Sequence, residues 1–376
     1  MSPDEDSIRV STLELFFDLV FVFTITQLTA ILLDHPDWRG LFSAILMLGV
    51  TWWMYGGYAW LTNAVPPNTT TRRLLLMGGM AGFLVMALAI PGSFFGDDGL
   101  AFGLGYLLVT AVHTALFTQT TAESAVRAIL RLAPFNFVSA VLVLIAGIVG
   151  GTAEFVLWTV AFCLQVVAPY LSGQEGFVIQ AAHFVERHGL VVIIAFGESI
   201  VAIGIGATGL RVDFALVFVA VLGLALTGCL WWLYFGGDDD EEAERALGNT
   251  PHERRPQVAL WAYGYAHLAL LFGVVLLSAG VKKAIGHAFE HASDAAAWYL
   301  AGGVALYLAG DAVFRGVLGM GRNGLRAVAA LVVLATVPLG QYTAAVAQLA
   351  VLVMVLFATI VAERMRASRV DQTITR

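Results

Sequence analysis

Glu14 and Asp18 stand four positions apart inside Ser11–Leu33, a stretch otherwise dominated by Leu, Val, Ile, Phe and Thr. A helix puts residues at that spacing on one face. Two carboxylates crowded together in a low-dielectric surrounding repel when both are ionised, so such a pair suits a proton or cation site. The plainer alternatives are a negatively charged cap at a helix start or pairing with an arginine. Glu198, followed by Ser199, lies in a second apolar run at the position matching Gln27 in the first. His113 and Asp311 occupy comparable places in two further runs. Glu14, Asp18, Gln27, Glu198, Ser199, His113 and Asp311 are therefore the candidate ion or proton pathway. His113, like His267, also suits the plainer task of bridging helices as neutral imidazole.

A second group, His183-Phe-Val-Glu-Arg-His188, precedes the run that holds Glu198. His183 and Glu186 are three apart, which invites a metal reading, but the spacing is not the His-Glu-x-x-His of zinc hydrolases. No metal or cofactor is expected. His183, Glu186, Arg187 and His188 fit better as a charged cytoplasmic gate or anchor, with Glu186 and Arg187 finding partners near lipid headgroups or on the first helix.

The elements that hold these residues follow from composition. The chain has 376 residues, 59% hydrophobic and only 12% charged, with a mean hydropathy of +0.82. That is far too apolar for a soluble globular protein. A bilayer core about 30 Å thick needs roughly 20 apolar residues per helix, and its backbone groups must bond internally. An all-α polytopic membrane protein is expected, with twelve spans near Ser11–Leu33, Trp38–Leu61, Arg73–Ile90, Leu100–Gln119, Val126–Gly150, Ala153–Leu171, Leu190–Gly206, Val212–Phe235, Gln257–Gly280, Ala295–Phe314, Leu325–Leu339 and Tyr342–Val361. Pro134 and Pro169 predict kinks in the fifth and sixth, and the eleventh is short.

Sixteen of the 20 Lys and Arg residues fall on the side of the two termini, Arg9, Arg187, Arg322, Arg326, Arg369 and Arg376 among them. Only Arg39, Arg211, Lys282 and Lys283 fall on the other. Positive charge marks the cytoplasmic face, so both termini are expected inside the cytoplasmic membrane of a bacterium. The acidic leader Met1 to Asp6 is unlike a secretory signal, so the first span is expected to stay in the mature protein. Asp238 to Glu242 read as a solvated cytoplasmic run. Cys163 and Cys229, two isolated thiols within spans, form neither a disulfide framework nor a zinc pattern.

Three stretches recur in the same order. Leu19-Val-Phe-Val-Phe-Thr-Ile-Thr-Gln27 resembles Leu190-Val-Val-Ile-Ile-Ala-Phe-Gly-Glu198, Trp52-Trp-Met-Tyr-Gly-Gly57 resembles Trp231-Trp-Leu-Tyr-Phe-Gly-Gly237, and Arg72-Arg73 matches Arg254-Arg255. Two parallel six-helix repeats, residues 1–172 and 173–376, are expected, with the pathway between helices one and seven.

Leu13-Glu-Leu-Phe-Phe-Asp-Leu-Val-Phe21 and His183 through Ser199 resemble the signature segments of the bacterial low temperature requirement A (LtrA) family. That resemblance covers nearly the whole chain and implies a multi-pass membrane protein linked by name to growth in the cold. The first-helix stretch is also similar, more weakly, to the motif of the endosomal and lysosomal potassium channel family, whose six-helix repeats line a pore with their first helices. That motif carries Phe-Ser-Asp preceded by Arg, where this sequence has Phe17 for the Ser and Thr12 for the Arg.

A small-ion channel or proton-coupled transporter is thus the leading expectation. It requires the carboxylates to face a hydrated path, and a dry ion pair would count against it. The expected partners are membrane lipids and a small cation or proton, not nucleic acid, and a homo-oligomer is compatible. The alternatives are a lipid-modifying membrane enzyme built on His183, Glu186 and His188, and a non-transporting component of cold adaptation. The sequence shows no nucleophile elbow, phosphate loop or sizeable soluble domain to favour the enzyme.

Overall fold

The computed structural model describes residues 10–374 apart from Arg322, with side chains described through Arg366. The acidic leader Met1 to Asp6 and the side chains of Arg9, Arg322, Arg369 and Arg376 lie outside the described residues. Among those described, every regular element is helical. Among the described residues, twelve segments are long and apolar enough to cross a membrane, as hydropathy predicts. The protein is a polytopic membrane protein.

The first eight crossings are α1 (Thr12–Asp34), α2 (Trp38–Ala64), α3 (Thr70–Ser93), α4 (Gly99–Phe117), α5 (Glu123–Val149), α6 (Gly151–Ser172), α7 (Ala181–Gly206) and α8 (Phe214–Phe235). A short acidic helix, α9 (Asp239–Asn249), follows. The ninth crossing joins α10 (Arg255–Ala259), a π-helical segment Leu260–Ala266, and α11 (His267–Ile285). The last three are α12 (Asp294–Leu318), the broken pair α13 (Gly324–Leu334) and α14 (Val337–Tyr342), and α15 (Ala345–Ile374).

Three differences from the sequence-based spans have physical causes. Helix α7 begins at Ala181, nine residues before Leu190, because the charges of its first turns are neutralised by a neighbouring helix rather than by water. The eleventh crossing is two helices, since Pro338 has no N–H to continue α13 and instead opens α14 at its first turn. The acidic run partly folds into α9, and Asp239 pairs with Arg315 at 3.0 Å. Pro134 and Pro169 lie inside continuous helices.

The chain forms two compact units, Met1–Ile194 with Ala243–Gly264, and Ala195–Glu242 with Tyr265–Arg376. In the first, α1 packs on α2 and α3, while α3, α4, α5 and α6 pack in succession. In the second, α11 lies along α12, α12 meets α13 and α14, and α8 packs on α15. The α11–α12 contact is close because glycines face each other. A Cβ on Gly303 would come 2.6 Å from Leu277 N and 2.7 Å from Gly273 O. In hydrocarbon, where helices associate through packing, such small residues let backbones touch. Gly303→Ala is expected to cost about 1–3 kcal/mol by overpacking, measured as a lower unfolding midpoint in mixed micelles. An unchanged midpoint would show the interface to be looser than this.

Candidate functional site

The site starts at the first turn of α1. Ser11 is the N-cap, and its hydroxyl accepts from the Glu14 N–H at 3.4 Å. The Glu14 Oε2 in return accepts from the Ser11 N–H at 2.8 Å and the Ser11 hydroxyl at 2.7 Å. This reciprocal capping box aims the carboxylate and leaves Oε1 facing inward. One turn on, Asp18 shares the same face and is fully buried.

Helix α7 presents the complement. His183 and Arg187 are also four residues apart, and both are 1% exposed. His183 Nε2 lies 3.0 Å from Glu14 Oε1, Arg187 Nη2 donates to Asp18 Oδ1 at 2.9 Å, and Arg187 Nη1 pairs with Glu14 Oε1 at 2.9 Å. The result is a two-rung ladder with a diagonal strut. Because 14 meets 183 and 18 meets 187, α1 and the start of α7 run in the same direction. Two odd-numbered crossings must do so.

Helix α2 closes the cluster. The Tyr55 hydroxyl donates to Asp18 Oδ1 at 2.9 Å, and Asn63 joins His183 to the chain at Gln180. Arg187 lies 5.5 Å from the Phe17 ring and 5.7 Å from the Tyr55 ring, so its guanidinium is held by ring faces as well as carboxylates. Phe17 stacks on Tyr58 at 5.0 Å, and Phe21 lies 4.4 Å from Tyr55. An ionised group in the middle of a bilayer costs roughly 2.5–3.5 kcal/mol on insertion scales. Four polar side chains sealed by aromatics offset that cost only by meeting one another.

The expected four-residue gate is not one group. His183 and Arg187 turn inward to α1, whereas Glu186 is exposed and its Oε2 accepts the Val10 N–H at 3.2 Å. His188 is buried on another face, its Nδ1 2.8 Å from Phe184 O and its ring 4.8 Å from Tyr263. His183, Glu186 and His188 therefore do not converge, since Glu186 and His188, two positions apart, lie on nearly opposite sides of the helix, and each of the three meets a different partner. Among the described residues, no three His, Cys, Asp or Glu side chains gather in a way that could hold a metal ion.

The seven expected pathway residues are likewise divided. Glu14 and Asp18 belong to the ladder. His113, in the same unit, sits with Nε2 3.0 Å from Gly57 O and bridges α4 to α2, as a packing histidine does. Gln27 is half-buried on α1. Glu198 is buried in the second unit, and its neighbour Ser199 meets Ser278 of α11 at 2.9 Å. Asp311 is buried against Arg326, which also binds Glu363 through two contacts of 2.9 Å and donates to Leu233 O at 2.8 Å. Arg187 and Arg326 are thus not loop charges on the side of the termini but buried side chains. They stay in the bundle because anions wait there. The Tyr55 partnership, Asn63, Arg326 and Glu363 were not singled out from sequence. The available signal was the His183-x-x-x-Arg187 spacing, which repeats Glu14-x-x-x-Asp18.

The sequence profile of the bacterial low temperature requirement A protein (LtrA) matches residues 9–361. The chain belongs to this family. An uncharacterized protein of Rhizobium meliloti (strain 1021) is 28% identical over 318 residues, covering 81% of this chain and 76% of the relative. Both halves of the ladder fall within the part matched to the LtrA family. Where the potassium-channel motif carries Ser, this LtrA protein has Phe17, whose buried ring flanks Arg187.

Proposed function

We propose that this LtrA-family protein is a proton-linked carrier of a small ion in the cytoplasmic membrane of a bacterium, with both termini cytoplasmic. One observation carries the proposal: the buried ladder between α1 and α7 sets two carboxylates, Glu14 and Asp18, against one guanidinium, Arg187. A bundle that needed only a strut would be served by one acid and one base, or by none, since an apolar replacement is often as stable. An unequal cluster in hydrocarbon favours taking up one proton. That is the chemistry by which a carrier couples its movement to protonation.

An open channel past Glu14 and Asp18 is not what the geometry supports, because both are buried and paired with His183 and Arg187 rather than lining a wide path. A carrier that exchanges these bonds during its cycle accommodates the same residues. In this proposal α1 and α7 are corresponding helices of two parallel repeats, residues 1–172 and 173–376. Membrane lipids, a small cation or proton, and a second copy of the chain are its partners, and Glu198 is a further waypoint.

The test is proton entry into vesicles containing purified protein and an internal pH dye, under an imposed gradient. The wild type is expected to acidify the lumen, and Asp18→Asn and Glu198→Gln to fall to the rate of protein-free vesicles. Equal flux in all three proteins would end the transport proposal. Absence of flux, together with normal growth in the cold when both residues are neutralised, would favour a non-transporting membrane component.

A further inference from the structure

We infer that the cluster holds its additional proton on Asp18 Oδ2, with His183 serving as a fixed neutral donor and not as the proton carrier. This deepens the proposed carrier function and rests on it for its role. The assignment of the proton itself comes from hydrogen-bond accounting.

Asn63 fixes the tautomer of His183. Its Oδ1 accepts the Gln180 N–H at 2.9 Å, and its Nδ2 donates to Gln180 O at 3.0 Å. A backbone N–H can only donate and a backbone carbonyl can only accept, so the amide has one permitted orientation. The second hydrogen of Nδ2 then points to His183 Nδ1, 3.3 Å away. Nδ1 must accept, which puts the imidazole hydrogen on Nε2, where it donates to Glu14 Oε1 at 3.0 Å. An imidazolium here would set N–H against N–H. His183 is therefore neutral in this arrangement.

Glu14 is saturated as an anion. Oε2 receives the Ser11 N–H and hydroxyl, and Oε1 faces His183 Nε2 and Arg187 Nη1. A proton on either oxygen would confront a donor. Asp18 differs. Its Oδ1 accepts from Tyr55 and Arg187, while its Oδ2 is buried without a hydrogen-bond partner. The titratable groups around it are Tyr55 from α2, Arg187 and His183 from α7, and Glu14 on its own helix. With Arg187 always charged and His183 neutral, two carboxylates leave the cluster at −1. One proton on Oδ2 restores neutrality without breaking a bond. Its loss changes the pull on Arg187, and hence on α7, while the Glu14–His183 rung stays in place.

The experiment is infrared difference spectroscopy, between acid and alkaline pH, on the full-length protein in lipid nanodiscs. Aspartate labelled with carbon-13 at its side-chain carboxyl identifies the residue type. The wild type should show a protonated-carboxyl band that moves with the label. Asp18→Asn should abolish it, and this variant made in the labelled protein separates Asp18 from Asp311, which also has a carboxylate oxygen without a hydrogen-bond partner. Glu14→Gln should abolish it too, because the cluster is then charge-matched with Asp18 ionised. His183→Gln should keep it. Persistence of the band in Asp18→Asn, absence of any label-sensitive band from the wild type, or its loss in His183→Gln alone would overturn the assignment. The spectrum needs no flux, so the two proposals can fail separately. Flux without an Asp18 band refutes the proton site alone, and an Asp18 band without flux refutes transport alone.

Discussion

Arg187→Met is expected to destabilise the protein by about 3–5 kcal/mol, the cost of removing one partner from a buried ion pair. The methionine replaces most of the aliphatic volume between Phe17 and Tyr55, so packing contributes little to the loss. What remains is Asp18, fully buried with Tyr55 as its hydrogen-bond donor, and Glu14, which keeps Ser11 and His183. At alkaline pH, where Asp18 has released the proton assigned to it, the larger share of the penalty therefore falls on Asp18. Adding Asp18→Asn to Arg187→Met should recover part of the stability, because it removes the orphaned charge instead of creating another. Equilibrium unfolding of the four proteins in mixed micelles measures this as a coupling energy. Strict additivity, with no recovery in the double variant, would mean that the Arg187–Asp18 contact is energetically idle.

Arg326→Met in the second unit is expected to lose a similar amount, about 3–5 kcal/mol, by the same physics. Arg326 alone joins Asp311 of α12, Glu363 of α15 and the Leu233 carbonyl at the end of α8. The two acids do not weigh equally. The Glu363 side chain is 24% exposed and can turn to water, whereas that of Asp311 is 1% exposed and cannot. Asp311→Asn should therefore rescue Arg326→Met, and Glu363→Gln should rescue it much less. Hydrogen exchange along α12, α13 and α15 would follow the change, with faster exchange in Arg326→Met reversed by Asp311→Asn. Equal rescue by both acids would overturn the ranking by burial.

The membrane class, the crossings and the positions of the intramembrane acids were all legible from the sequence. Each span is a run of apolar residues whose insertion depends on that run and on little else, so α2, α4 and α8 begin and end within a few residues of where hydropathy puts them. Glu14 and Asp18 were legible for the same reason, since an acid inside such a run stands out without knowledge of its neighbours. Even the capping of α1 follows from a local pattern, Ser11-x-x-Glu14.

What lay hidden was partnership. An arginine beside an apolar run looks the same whether its guanidinium reaches the headgroups or turns into the bundle, and the choice depends on whether an anion faces it from another helix. Arg187 and Arg326 turn inward because Glu14, Asp18 and Asp311 are there. That also moved the start of α7 back to Ala181 and split the apparent gate into an inward pair, an exposed Glu186 and a packed His188. Hydropathy is a property of each residue and its near neighbours along the chain, so the sequence alone determined that these helices exist and what they carry. Which faces meet is a property of packing between residues 169 positions apart, and only the tertiary structure decided it.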